Sequence, residues 1–147
     1  MGRLIGIATR KKKRAPMELL NHACVTLGQG VANDFRGKPS KRQVTVLAKE
    51  GWEAACAVSG TIFDWTVRRA NLYIEGVNLR ESEGRVLEIG NLRLLVTRET
   101  DPCERMGEVS EALEKALLED WRGGVCCRVI QAGEISLGDA VELKDVD

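Results

Sequence analysis

The chain has 147 residues, of which 44% are hydrophobic and 30% charged, and its 22 basic side chains balance 22 acidic ones. Those proportions describe a single globular domain over residues 1–147 with enough apolar sequence for a core, and they exclude a disordered chain. No apolar run approaches the roughly 20 residues of a membrane span. In MGRLIGIATRKKKR the charges follow a very short apolar run, the reverse of a secretory signal, so a cytoplasmic location without a membrane partner is expected.

In chain order, LIGIAT reads as a first strand, followed by a basic loop at residues 10–14. MELLNHACV is compatible with helix or strand, and GQGVANDFRGKPSKRQ, with its glycines, proline and mixed charge, reads as a long loop. VTVLA returns to strand, and KEGWEAACAV suits a short helix turning Trp52, Ala55 and Cys56 inward. ANLYIEGVNL reads as strand and turn. RVLEI and LRLLVT form two strands joined at Gly90-Asn91.

MGEVSEALEKALLEDW places Val109, Leu113, Ala116 and Leu117 at helical spacing, with Trp121 extending the stripe. The remainder alternates β-rich runs with glycine turns. Many short strands with one good helix predict a small, curled, mainly β domain with flanking helices (α+β), not a doubly wound sheet.

The charges are segregated. Residues 1–42 hold ten Lys or Arg against two Asp or Glu, and the rest of the chain carries the compensating acidic excess. Such a basic third suits a phosphate or other anion, or forms a solvated surface with a mobile loop. It lacks interleaved aromatics, so no nucleic-acid partner is expected.

The five cysteines, at 24, 56, 103, 126 and 127, form no CxxC pair, which argues against a disulfide scaffold and a structural zinc knot. His22 is the sole histidine, so a His-rich metal site and a Ser-His-Asp arrangement are not expected.

Pro102 lacks an amide donor and disfavours helix at Asp101, so the preceding strand should stop there and leave Cys103 at a sheet rim. Arg98 and Arg105 favour a thiolate at Cys103, while Asp101 and Glu104 oppose it. A functional thiol and a packing cysteine both stay open on spacing alone. In VCCRVI, Cys127 shares a core face with Val125 and Val129, and Cys126 shares the other face with Arg128. Cys24 and Cys56 sit in apolar settings and read as packing residues.

Gly123-Gly124 permits a tight bend or a close approach to something bound. Arg42-Gln43 offers a guanidinium fork and an amide, either to an anionic or heteroaromatic group or to a loop backbone. Asp34, Arg69 and Asn71 are further polar residues at loop or strand ends.

Taken in order, GVANDFRG, RQVTVL, RRANLYIEGVNL, LEIGNLRLLVTRETDPC and RGGVCCRVIQAGEISLGDAVEL resemble the MOSC domain, named for the C-terminal region of molybdenum cofactor sulfurases. Together these segments cover nearly the whole chain. The resemblance implies a barrel-like β fold with helices at its edge and a molybdenum-pterin cofactor. Its conserved cysteine matches Cys103, which would act as the catalytic thiol and as the ligand of molybdenum. The implied cofactor-binding set begins with Asp34, Arg36, Arg42 and Gln43. It continues through Arg69 and Asn71 to Gly123, Gly124 and Arg128.

Two stretches depart from the family pattern. Asn33 and Arg36 flank Asp34 where the family often has glycine and histidine, and Ala70 stands where a glutamate is frequent. The missing carboxylate at Ala70 favours binding over catalysis.

The resemblance implies cofactor or sulfur handling or, alternatively, molybdenum-dependent reduction of N-hydroxylated compounds; the segregated charge and the missing carboxylate at Ala70 favour a third alternative, a non-catalytic cofactor carrier or interaction domain. The partners implied by the resemblance are a molybdoenzyme or cofactor-biosynthesis protein and, for a reductase, an electron donor. The chain has no room for a pyridoxal-phosphate domain, so that cofactor is not expected.

Overall fold

The computed structural model of the chain describes residues 1–101 and 104–145. The opening run forms β1 (Gly2–Thr9), and MELLNHACV forms strand rather than helix, as β2 (Glu18–Leu20) and β3 (His22–Thr26) with a bend at Asn21 between them. Within the long loop only Gly30–Val31 pairs, as β4. Next come β5 (Val44–Ala48), helix α1 (Lys49–Ser59), a 3-10 turn at Trp65–Arg68 and β6 (Leu72–Glu75).

The hairpin is β7 (Val86–Ile89) and β8 (Leu92–Glu99), turning at Gly90 with φ 58°. Two short helices, α2 (Glu104–Val109) and α3 (Glu111–Leu117), precede β9 (Val125–Gln131), β10 (Gly133–Ser136) and β11 (Ala140–Lys144).

Seven strands close into a barrel in the order β1-β6-β5-β9-β8-β7-β11 and back to β1. Closure falls to the start of β1, where Gly2 and Arg3 pair with Val141 and Ala140. On the same edge, the end of β1 pairs Ile7, Ala8 and Thr9 with β2 instead. Among the described residues only β5 and β6 run parallel, and α1 lies on the crossover that such a pair requires. A smaller sheet, β10-β3-β4, lies alongside.

Alternating side chains fill the barrel. Leu4, Ile7, Val46, Leu72, Ile74, Leu87, Leu94 and Val129 belong to one buried cluster. A second cluster on the helix side joins Leu47, Ala70 and Tyr73 to Trp52 and Ala55 of α1, Met106 of α2, and Leu113, Ala116 and Leu117 of α3.

A register shift between Leu4 and Gly6 opens β1 beside Trp65. A methyl group on Gly6 would come within 2.5 Å of Trp65 Cζ2. That clearance lets the indole stack on Tyr73, with ring centroids 4.8 Å apart and planes 4° from parallel. Burial pushes the Tyr73 phenol well above its ordinary range.

The continuous helix expected over residues 106–121 is broken. Ser110 has φ −166° and its hydroxyl accepts from Leu113 N at 3.1 Å, so it caps α3 rather than continuing α2. The break turns Val109 out to solvent while Leu113, Ala116 and Leu117 stay buried. Trp121, at φ 58°, has left the helix and packs against the barrel cluster.

Both strand faces at Cys126-Cys127 are covered, so both thiols are buried. Cys126 Sγ lies 3.3 Å from Thr100 Oγ1, and burial pushes the Cys127 thiol far up. Cys56 is half-buried at the edge of the second cluster. Cys24 departs from the packing role expected of it: the alternation of β3 sends Ala23 and Val25 inward and Cys24 out to solvent. Among the described residues no helix is long and apolar enough to cross a membrane.

Gln43 is buried and ties three segments together. Its amide nitrogen donates to Leu27 O at 2.7 Å and Gly37 O at 3.0 Å, and its amide oxygen accepts from Val129 N at 2.9 Å. Replacing it by leucine strands those groups in a site water reaches poorly. Gln43→Leu is expected to cost about 3 kcal/mol, read as a lowered urea midpoint at unchanged slope.

Candidate functional site

At the end of the barrel where β1 and β5 meet the loops, a cavity of about 280 Å³ opens between the basic loop, the early loop and the 3-10 turn. That volume lies just under the roughly 300–1,000 Å³ typical of small-molecule sites. Seven of the described residues lining it are cationic (Arg10, Lys13, Arg14, Arg36, Arg42, Arg68 and Arg69) and Asp34 is the one carboxylate among them. Met17, Thr45, Val67, Asn71 and Met106 complete the wall.

Asp34 organises the mouth through main-chain contacts. One carboxylate oxygen accepts from Arg10 N at 3.1 Å and the other from Arg36 N at 3.2 Å. Phe35 N donates to Arg10 O at 2.7 Å. The guanidinium carbons of Arg10 and Arg36 then lie 6.0 and 5.9 Å from the centre of the Phe35 ring, close enough for cation–π attraction.

Deeper in, the 3-10 turn is capped by the Asp64 side chain, which accepts from Thr66 N, and ends at Arg69 in the left-handed region, φ 65°. A β-carbon is disfavoured there, so the surrounding contacts must hold it. Arg69 donates a short hydrogen bond to Ala15 O and so tethers the basic loop to the turn. Arg68, beside it, is buried and donates to Thr100 O at 3.1 Å.

Asn71 forms the floor. Its side-chain oxygen accepts from Thr45 N at 3.1 Å and its side-chain nitrogen donates to Ala8 O at 3.2 Å, bridging β5 and β1. Arg42 brings a buried Nε that has no hydrogen-bond partner among the described residues.

Of the candidates read from the sequence, the fold thus gathers Asp34, Arg36, Arg42, Arg69 and Asn71 around one cavity. Gln43 is spent on the loop and strand backbone. Arg128 is exposed beside Leu27 and Pro39 in a separate shallow depression.

Gly123 and Gly124 make their close approach to the protein's own main chain. A methyl group at Gly123 would meet Thr100 O at 2.6 Å and Arg68 Nη2 at 3.2 Å. Gly124, at φ 90°, lies against Val46 O. Gly123 thereby makes room for the Arg68 guanidinium.

Cys103 lies outside the described residues. On one side of it in the chain, Thr100 is held by Arg68 and by a 2.9 Å bond from its amide to Gly124 O; on the other, Met106 lines the cavity. The individual residues Arg10, Lys13, Arg14 and Arg68 were not singled out by sequence reasoning. Their signal was the basic excess of the first 42 residues.

The MOSC domain family matches residues 24–142. The chain belongs to this family. Among solved structures, the YUAD protein from Bacillus subtilis superposes with a TM-score of 0.84 at 18% identity, over 100% of this chain and 98% of the other. YiiM from Geobacillus stearothermophilus gives 0.76 at 17% identity, over 99% of this chain and 76% of the other. YiiM from Escherichia coli gives 0.67 at 16%, covering 99% and 71%. These likenesses establish the MOSC fold. No curated protein matches the sequence.

Within this MOSC domain, Ala70 is buried in the helix-side cluster next to the cavity turn, so its place is filled by a packed methyl group with no acid–base capacity. Asn71 gives the sharpest test of the floor. Asn71→Asp exchanges the donor facing Ala8 O for an acceptor and should destabilise the protein by about 2 kcal/mol, measured by urea denaturation.

Proposed function

We propose that the cationic cavity binds a molybdenum-pterin cofactor, with guanidinium groups holding its phosphate and the Cys103 thiolate ligating molybdenum, for cofactor or sulfur handling. MOSC domains are associated with the molybdenum cofactor, and this chain is one. The observation that carries the reading is the concentration, among the described residues, of seven cationic side chains around one carboxylate in a cavity of about 280 Å³.

The donor set suits an anion. Guanidinium forks match phosphate oxygens in pairs, and within a partly enclosed site such bonds are stronger than in water. Arg42, whose buried Nε lacks a partner among the described residues, has unused donor capacity at the wall. Arg36 and Arg42 would hold the phosphate, while Met17, Val67 and Met106 offer apolar surface to a flat ring system. Soft thiolate sulfur is a natural ligand for molybdenum, which is the chemistry Cys103 would supply. The cofactor, when bound, would supply redox and sulfur-transfer chemistry at the metal. Ala70, buried and without an acid–base group, favours holding and passing on the cofactor over turning over a substrate.

Protein produced alongside the cofactor-synthesis machinery is expected to carry molybdenum together with a pterin that yields a fluorescent oxidation product. Arg42→Ala should lower pterin retention by at least about tenfold, the effect of losing a charge-assisted bond worth roughly 1.5–3 kcal/mol. Cys103→Ser should remove the one sulfur ligand that the protein itself supplies to the metal, leaving the sulfurs of the pterin in place. Metal-free, pterin-free protein beside a fully loaded control molybdoenzyme overturns the reading.

A further inference from the structure

β3 alternates strictly, with His22, Cys24 and Thr26 on its solvent face and Ala23 and Val25 in the core. Its antiparallel partner β10 sets Glu134 directly opposite Cys24 and Ser136 directly opposite His22. Four polar side chains thus occupy one square of a cross-strand ladder. Cys24 Sγ lies 3.4 Å from Glu134 Oε1, and His22 Nδ1 lies 3.0 Å from Ser136 Oγ. Ligand atoms of His22, Cys24 and Glu134 all fall within 4.8 Å of one another. None of these residues lines the cationic cavity.

We propose that His22, Cys24 and Glu134 form a binding site for a zinc-class divalent ion, with imidazole nitrogen, thiolate sulfur and carboxylate oxygen as ligands and the outward position left to water.

The donor set fits such an ion, because zinc takes N, S and O ligands in tetrahedral geometry at about 2.0–2.3 Å. Those bond lengths put neighbouring ligand atoms about 3.3–3.8 Å apart. The Cys24–Glu134 pair, at 3.4 Å, already has that spacing. The widest separation, within 4.8 Å, closes by rotating exposed side chains and leaves the strands in place. The Ser136 hydroxyl, 3.0 Å from Nδ1, helps to fix the orientation of the imidazole, leaving Nε2 free for the ion.

In the metal-free protein the thiol donates to Glu134, and that bond, some desolvation and the carboxylate's charge raise the thiol above its ordinary range. Binding replaces the thiol proton with the metal and releases it to solvent, while both strands stay rigid. The site is independent of the cavity, so it stands or falls separately from cofactor binding.

The test titrates the full chain with Co²⁺ alone. One equivalent should produce a thiolate-to-cobalt charge-transfer band with the visible bands of a four-coordinate ion, and Zn²⁺ should displace it. Cys24→Ser should lose the charge-transfer band. His22→Gln and Glu134→Gln should each weaken binding by at least about tenfold, since even partners outside the ligand shell affect affinity by 10–100-fold.

A second readout needs no ligand-free variant: one equivalent of Zn²⁺ should protect Cys24 from alkylation in the unmodified chain, mapped by mass spectrometry. Glu134→Gln should move the two measurements in opposite directions, speeding alkylation of the metal-free thiol while weakening the metal. The absence of a charge-transfer band, its persistence in Cys24→Ser, unchanged affinity in both His22→Gln and Glu134→Gln, or a Cys24 that alkylates equally fast with zinc present overturns the proposal.

Discussion

The side-chain amide of Asn71 spans the ends of β1 and β5 across β6, accepting from Thr45 N and donating to Ala8 O. The main chain reinforces the same junction, with Ala8 N donating to Asn71 O at 2.7 Å and Asn71 N to Thr45 O at 3.0 Å. Here the antiparallel β1–β6 ladder and the parallel β6–β5 ladder both run out, where unpaired main-chain groups would otherwise face the cavity. Because the amide satisfies a donor on one strand and an acceptor on the other, the barrel end stays closed and polar at once. Arg69 lies two positions before it, and the loops from β1 and into β5 supply most of the cationic wall. The cavity is therefore built outward from this junction.

A wall this rich in cations carries a cost that the rest of the molecule must offset. Like charges crowded into one partly enclosed space repel, and an anion relieves that repulsion as well as forming its own bonds. The folded protein offsets it structurally by holding the cations with main-chain partners: Arg68 on Thr100 O and Arg69 on Ala15 O. Asp34, the carboxylate of the site, spends its oxygens on the amides of Arg10 and Arg36 and thereby sets the loop shape. The neutral overall balance of 22 basic and 22 acidic side chains conceals this local field, because the acidic excess lies later in the chain.

The cysteines illustrate how one residue type is sorted by position. Cys126 and Cys127 are adjacent on β9 and point to opposite faces, yet both are covered, one beside Thr100 and one inside the barrel. Cys24 lies on the exposed outer face of a strand of the smaller sheet, which puts its thiol next to Glu134 and near His22. Burial suppresses thiolate chemistry at Cys127, whereas the cross-strand Glu134 carboxylate governs it at Cys24.

Much of the architecture was legible from local pattern. The strands at LIGIAT and VTVLA, the α1 stripe of Trp52 and Ala55, and the hairpin around Gly90 follow from periodicity and turn chemistry, which act between near neighbours. The apolar spacing over residues 106–121 spelled a single helix, whereas in the fold Ser110 leaves helical geometry and caps α3. Sequence reading put Asp34, Arg36, Arg42, Arg69 and Asn71 into one candidate set without stating how they meet.

What the sequence by itself determined was the strand-rich class, the main turns and a basic N-terminal third. The tertiary structure decided which cations share a cavity, that Gln43 and the Gly123-Gly124 pair serve the protein's own main chain, and that Cys24 faces His22 and Glu134 across two strands. Those outcomes depend on barrel closure and on the register between segments far apart in the chain, as with Cys24 opposite Glu134. Local propensity does not encode such register, because it is fixed only when distant strands bury their shared faces together.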